Sequence, residues 1–267
     1  MLNRWGRDAW RAGFIAAWAA AGGAQAASFD APPVVRFVQD ADLGPPLLSV
    51  ERDAQGLRLR GGLSIDLNRA IAAEMGLTAR FLPQPHSRVE TALQNDTADL
   101  LCPADPARLR APQRLRWIEG VYLNDRRVLI GADGTSMPAQ VSQLADLPAD
   151  AKTVRIAIAA GQAAPELQPL LARRGLRRDE VASEDAALRS LLAGRAAYAV
   201  VTGVFLDDWL RREPTLRAQL GPMLTLATVT IRCAIGPKSR ITAEAVDEAL
   251  KRLRASGGHE AMLKRYR

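Results

Sequence analysis

The sequence is poor in aromatic side chains, which make up 5% of its 267 residues. So few rings argue against a stacking platform for single-stranded nucleic acid. Histidine is scarcer still. His86 and His259 are the only two, and they stand far apart in the sequence. With just two cysteines beside them, no metal-ligand spacing arises, and no bound metal is expected. The motifs G-x-S-x-G and H-E-x-x-H are absent, as are a phosphate-binding loop and a dinucleotide fingerprint. No cofactor is therefore expected. Runs of like charge are missing too, although the net charge is +7. The surplus is arginine scattered along the chain, without helix-turn-helix or zinc-finger spacing, so nucleic acid is not an expected partner.

What is present begins with a leader. "MLNRWGRDAWRAGFIAAWAAAGGAQAASFD" places Arg4, Arg7 and Arg11 before an apolar run from Ala12 to Ala21. Small residues follow, Ala24-Gln25-Ala26, in an A-x-A cleavage pattern. This is the layout of a secretory signal peptide over residues 1–26, cleaved near Ala26. The apolar run is shorter than the roughly 20 residues that span a bilayer. Export to the periplasm is the expectation. In an exported chain, Cys102 and Cys233 can be a disulfide or two buried thiols; the count leaves both open.

The rest reads as two halves with one grammar. In the first, Val34 to Val38 is a strand, followed by a Pro-stopped loop. "LSIDLNRAIAAEMGL" is a helix with Leu67, Ala70, Ile71 and Met75 on one face and Gly76 as its left-handed cap. "TARFLPQ" is a second strand. Ser87 and Glu90 form an S-x-x-E capping box for a short helix, and Ala98 to Cys102 is a third strand. In the second half, Val154, Ile156 and Ile158 alternate on a strand. "LQPLLARRGL" is a helix stopped by Gly175. Ser183 caps a helix that ends at Gly194, and Ala197 to Val201 closes the set. "YLNDRRVLIG" crosses between the halves, and "VTIRCAIG" returns. An amphipathic helix then carries Val246, Ala249, Leu250 and Leu253 on one face, breaks at Gly257-Gly258, and a short final helix follows. Strands alternating with helices predict parallel sheets covered on both faces. Two crossing strands predict a hinge, with a ligand cleft at the strand ends.

Five segments, in this order, carry a resemblance: "GLSIDLNRAIAAEMGL", "ALQNDTADLL", "RWIEGVYLND", "LLAGRAAYAVVTG" and "EALKRLRASGGHEAMLKRYR". Together they resemble the periplasmic solute-binding proteins of the polar amino-acid uptake systems. The resemblance implies an α/β, two-lobed periplasmic binding protein type 2 fold, with two mixed sheets flanked by helices and joined by a two-strand hinge. It places lobe 1 at residues 27–128 and 230–267, and lobe 2 at residues 129–229. "DLLCP" and "IRCAIGPK" are similar to the glutamate/aspartate-binding branch, and this implies a Cys102–Cys233 bridge. It further implies a monomer that closes over a small polar molecule and delivers it to an inner-membrane ABC permease.

The ligand anchors depart from the family pattern. Counted without gaps, the arginine that grips an α-carboxylate falls on Ala111, and the second-lobe aspartate that takes the α-ammonium falls on Thr202. The aromatic cover has become Leu43. An ammonium left without a counterion costs several kcal/mol, so a standard zwitterionic amino acid is not the expected ligand. The candidate contacts are Gln39, Asp40 and Asp42, Arg108 and Arg110, Tyr122, Gln162 and Thr202. Two other roles are compatible with the fold. One is an accessory or sensor protein that meets a periplasmic partner, for example a quinoprotein dehydrogenase. The other is a small-carboxylate dehydratase, for which Glu119 and Asp105 are the nearest acids; neither histidine has a nucleophile at useful spacing, and no catalytic residue is assigned.

Overall fold

The computed structural model describes residues 33–54, 56–140, 142–143, 154–171 and 175–266. The leader at residues 1–26 lies outside the described residues, as does the end of the helix expected before Gly175.

Each half is built on three parallel strands. In the first, β1 (Val34–Asp40) sits between β4 (Thr78–Gln84) and β5 (Leu100–Ala104). In the second, β8 (Val154–Ala159) sits between β9 (Leu176–Val181) and β10 (Tyr198–Thr202). The first strand of each half is thus central, with the second and third at its flanks. Strands buried on both faces read as continuous apolar runs, which is the pattern of Ile156, Ala157 and Ile158; in β1 the buried Val35, Phe37 and Val38 are interrupted by the half-buried Arg36.

Two long strands join the halves. β7 (Leu123–Ala132) pairs antiparallel with β10, and β11 (Leu220–Ile235) pairs antiparallel with β7 from Leu220 to Ile231. β11 then pairs with β5 through Arg232 to Ile235, and with the short β6 (Arg116–Trp117). The full order is β4-β1-β5-β11-β7-β10-β8-β9. This is a two-lobed mixed α/β fold with helices on both faces of each lobe. The expected return strand is longer than the apolar letters suggest. A separate hairpin of β2 (Ser49–Asp53) and β3 (Gly56–Gly61) was not expected at all.

Helices seal the sheets. α1 (Leu63–Glu74), α6 (Ala243–Ala255) and α7 (Gly258–Lys264) pack on one face of lobe 1, where Leu67, Ile71, Val246 and Leu250 meet Phe37 and Leu100. α2 (His86–Gln94) covers the other face through Val89 and Leu93. In lobe 2, α4 (Glu184–Leu192) and α5 (Gly203–Arg212) bury Leu188, Leu191 and Trp209, while short α3 (Gln168–Leu171) lies towards the opposite face. Burying one such aliphatic side chain contributes about 1.5–3 kcal/mol. Gly76 has φ +70, as a left-handed cap requires, and Ser183 accepts from Ala186 N at 3.1 Å.

Cys102 and Cys233 form a disulfide between β5 and β11, with a Cα–Cα distance of 4.6 Å. The staple therefore lies inside lobe 1, under the strand that leads into the arginine-rich loop.

The capping box at Ser87 is not formed. The N-cap is Pro85, so α2 starts at His86, two residues earlier than a Ser87 cap would set it, without a side-chain cap. Glu90 instead reaches across to the arginine-rich loop, accepting from Arg110 N and Ala111 N, both at 2.8 Å.

Candidate functional site

The carboxyl ends of the parallel strands from both lobes face one cleft. One cavity in it has about 810 Å³ of empty space, open mouth included. A neighbouring cavity of about 680 Å³ shares Leu43, Leu47, Arg108, Gln162 and Thr202 with it. A ligand site at such strand ends is what the topology favours.

On the lobe 1 side, Asp40 ends β1 and is 5% exposed. One of its oxygens accepts from a His86 ring nitrogen at 2.8 Å and from Arg108 Nη2 at 3.1 Å. The other accepts from Asp42 N at 3.1 Å. The second ring nitrogen of His86 lies 2.9 Å from the Arg108 carbonyl, and His86 N donates to Asp42 at 3.0 Å. A 3-10 turn over Pro106–Arg108, capped by Asp105, delivers Arg108 to this cluster. A buried carboxylate needs such partners, because an isolated charge is expensive away from water.

On the lobe 2 side, Glu184 is the first residue of α4, just after β9. One carboxyl oxygen accepts from Thr202 N and from Gln162 Nε2, the latter at 3.2 Å; the other accepts from Thr202 Oγ1 at 3.2 Å. Burial pushes the Glu184 carboxyl up to about 7, and the negative charge of Asp125 adds to this. The hydrogen bonds from Thr202 and the charge of Arg108 across the cleft act against it. Gln162 Oε1 is buried and has no hydrogen-bond partner.

The hinge strand β7 supplies the floor. Arg127, 7% exposed, bonds both oxygens of Glu166, at 2.6 and 2.8 Å. Arg126 pairs with Asp207 at 2.6 Å. Asp125 Oδ1 accepts from Val204 N at 3.0 Å, anchoring the start of α5 to the hinge. A Cβ on Gly203 would lie 2.8 Å from that oxygen and 2.5 Å from Arg126 Cγ, so glycine makes the approach possible.

Of the candidate contacts, the structure brings Asp40, Asp42, Arg108, Gln162 and Thr202 to the cleft. It places three elsewhere. Gln39 is 1% exposed, bonding Val38 O and Ser64 inside lobe 1. Neighbours on a strand point to opposite faces, so Gln39 turns away where Asp40 turns in. Arg110 is exposed, its backbone held by Glu90, because the 3-10 turn sets Arg108 inward instead. Tyr122 is fully buried in the lobe 1 core, its hydroxyl 3.5 Å from Ser64 O. Glu119 is exposed, bonded through its backbone to Asp247 at 3.4 Å; Asp105 lines the cavity with one oxygen on Ala107 N at 2.9 Å.

Two cleft residues were missed. His86 follows the end of β4, and its backbone is set by Pro85. Glu184 supplies the second-lobe carboxylate that the count to Thr202 had marked as lost; the charge has moved to another element. Its only signal in the sequence is an acid directly after an N-cap serine at a strand end. Among the described residues, no three His, Cys, Asp or Glu side chains are placed to hold a metal ion.

Solved structures share the fold. The putative binding component of an ABC transporter from Wolinella succinogenes, complexed with lysine, has a TM-score of 0.67 at 16% identity, covering 87% of this chain and 95% of that one. An ABC uptake transporter substrate-binding protein from Streptococcus pneumoniae with bound histidine has 0.65 at 16%, covering 87% and 92%. An ancestral amino-acid-binding protein, a precursor of cyclohexadienyl dehydratase, has 0.63 at 18%, covering 87% and 95%. No curated protein matches in sequence. The family model that describes bacterial extracellular solute-binding proteins, family 3, matches residues 45–267. With strand ends from two lobes meeting over one cleft and that match across most of its length, the chain belongs to the bacterial extracellular solute-binding proteins of family 3.

Proposed function

We propose that this protein captures a small polar solute in the interlobe cleft and hands it to an inner-membrane ABC permease. The observation that carries the reading is the cavity lined from both lobes by Asp40, Arg108, Gln162 and Thr202. Residues 1–26 act as the export signal, and lobe 2 comprises residues 129–229 between two parts of lobe 1. The glutamate/aspartate branch suggested by the cysteines is not part of the proposal.

The solute is not a standard zwitterionic amino acid. A free guanidinium would suit an α-carboxylate through two parallel hydrogen bonds. Arg108 instead spends one nitrogen on buried Asp40, which already compensates its charge. Arg126 and Arg127 are likewise paired with Asp207 and Glu166.

Thermal-shift screening of the exported form against amino acids, polyamines, carboxylates and aromatic acids tests this. A ligand of the folded state alone raises Tm by mass action. Stabilisation by at least one small polar solute is expected. Strongest stabilisation by a plain α-amino acid overturns the ligand class, and silence across the panel overturns solute capture in favour of an accessory role.

A further inference from the structure

His86 meets two acceptors at once. Its Nδ1 lies 2.8 Å from Asp40 Oδ2, and its Nε2 lies 2.9 Å from the Arg108 carbonyl. A neutral imidazole donates from one nitrogen only, an imidazolium from both. The carbonyl carries no hydrogen, so the one on that line belongs to Nε2. A second hydrogen has to lie between Nδ1 and Asp40, on whichever of the two atoms it rests. Ring and carboxyl together therefore hold one proton more than a neutral imidazole beside an ionised carboxylate. The charges around them agree. Asp40 Oδ2 also accepts from Arg108 Nη2 at 3.1 Å, and His86 N donates to Asp42 at 3.0 Å. Two carboxylates thus stand against one guanidinium, and an imidazolium balances them.

The ring sits where a small change moves the cleft wall. His86 opens α2, and the carbonyl it holds belongs to the 3-10 turn Pro106–Arg108, which leads Arg108 and Leu109 to the cavity. Arg108 is thereby tied to lobe 1 twice, its backbone through His86 and its side chain directly to Asp40. The rest of the loop is held by other means. Glu90, one turn along α2, accepts from Arg110 N and Ala111 N, and Trp117 Nε1 donates to Pro112 O at 2.9 Å.

We propose that His86 is a positioning residue of the lobe 1 wall, a clamp that seats the Arg108 turn against Asp40 only while its ring is doubly protonated. Removing one proton leaves a lone pair facing the carbonyl or the carboxylate at 2.8 or 2.9 Å, and the turn shifts away from the ring. That the turn borders a solute site rests on the reading that the cleft captures a solute; the clamp itself belongs to the empty protein. The other charged groups lining the same cavity are Asp105 beside the turn and Asp125, Arg126 and Arg127 on the hinge strand. The last two are paired with Asp207 and Glu166. On its own helix, Glu90 is spent on the loop backbone, and from lobe 2 Glu184 feels the charge of Arg108.

The test is amide hydrogen exchange, followed by NMR on the empty protein at pH 5.5 and pH 8, either side of ordinary histidine titration. Each rate is divided by its random-coil value at the same pH. Protection at Arg108 to Ala111 is expected to fall about tenfold at pH 8, the scale of one charge-assisted hydrogen bond, while the amides of α6 keep theirs. His86→Ala is expected to show the lower protection already at pH 5.5 and to stay flat. Glu184, raised to about 7, ionises over the same range, and His86→Ala leaves it in place. A variant loop that still loosens at pH 8 therefore overturns the clamp and assigns the change to Glu184. Equal protection at both pH values in the wild type overturns it without any variant, should His86→Ala not fold. The solute panel decides capture separately: a failed clamp leaves capture intact, and a silent panel leaves the clamp standing.

Discussion

Glu184→Gln makes a prediction about the empty protein, independent of any ligand. The carboxyl sits at about 7 in the fold against an ordinary 4.5. A carboxyl raised on folding favours the folded state below its unfolded value, and that contribution is lost as pH rises through the folded value. Wild-type stability should therefore fall between about pH 5 and pH 8. The full linkage is about 3 kcal/mol. Glu184 is only partly shielded, and glutamine loses the charge-assisted bonds from Thr202. A net gain of about 1–2 kcal/mol at pH 8 remains. For a chain of this size that is roughly 3–6 °C in Tm. At pH 5 the folded wild type is already protonated there, and the two proteins should melt together. Scanning calorimetry across this range tests the reasoning. Parallel curves for the two proteins, or a variant less stable at pH 8, would refute burial as the source of the shift.

Other perturbations follow from the same contacts. Asp40→Asn removes the charge that holds His86 and Arg108, and should cost about 2 kcal/mol in urea unfolding at neutral pH; an unchanged midpoint would show the cluster to be incidental. The double variant Cys102→Ala/Cys233→Ala should lose about 2–4 kcal/mol, with the midpoint lowered to the same degree as in reduced wild type. Gly203→Ala forces a methyl against Asp125 and Arg126. It should cost at least about 1 kcal/mol and weaken whichever solute the thermal-shift panel identifies; a neutral effect on both would mean that the hinge absorbs the group freely.

Much of the framework was legible because it follows local rules. Periodic apolar positions announced α1 and α6, and Ser183, Gly76 and Gly194 marked helix ends through their own chemistry. The hairpin was not legible, although Leu57 and Leu59 alternate with Arg58 and Arg60 and Val50 pairs with Leu59; that apolar side is short and only half-buried. Nor was the start of β11, where Gly221 and Pro222 interrupt the pattern although β7 pairs with the strand on both sides of them. The site was harder still. Glu184 owes its role to Thr202 and Gln162, which come from other strand ends, and His86 owes its role to Asp40 and Arg108. Counting along the chain from a motif finds neither, because a carboxylate can be supplied by whichever loop reaches the cleft.

The antiparallel pairing of β7 with β11 has a mechanical consequence. Both β1 and α7 belong to lobe 1, and the path into lobe 2 leaves and returns along adjacent strands. Tension applied between β1 and α7 therefore loads the first lobe alone. Under an optical trap, the inserted lobe stays slack until its host tears.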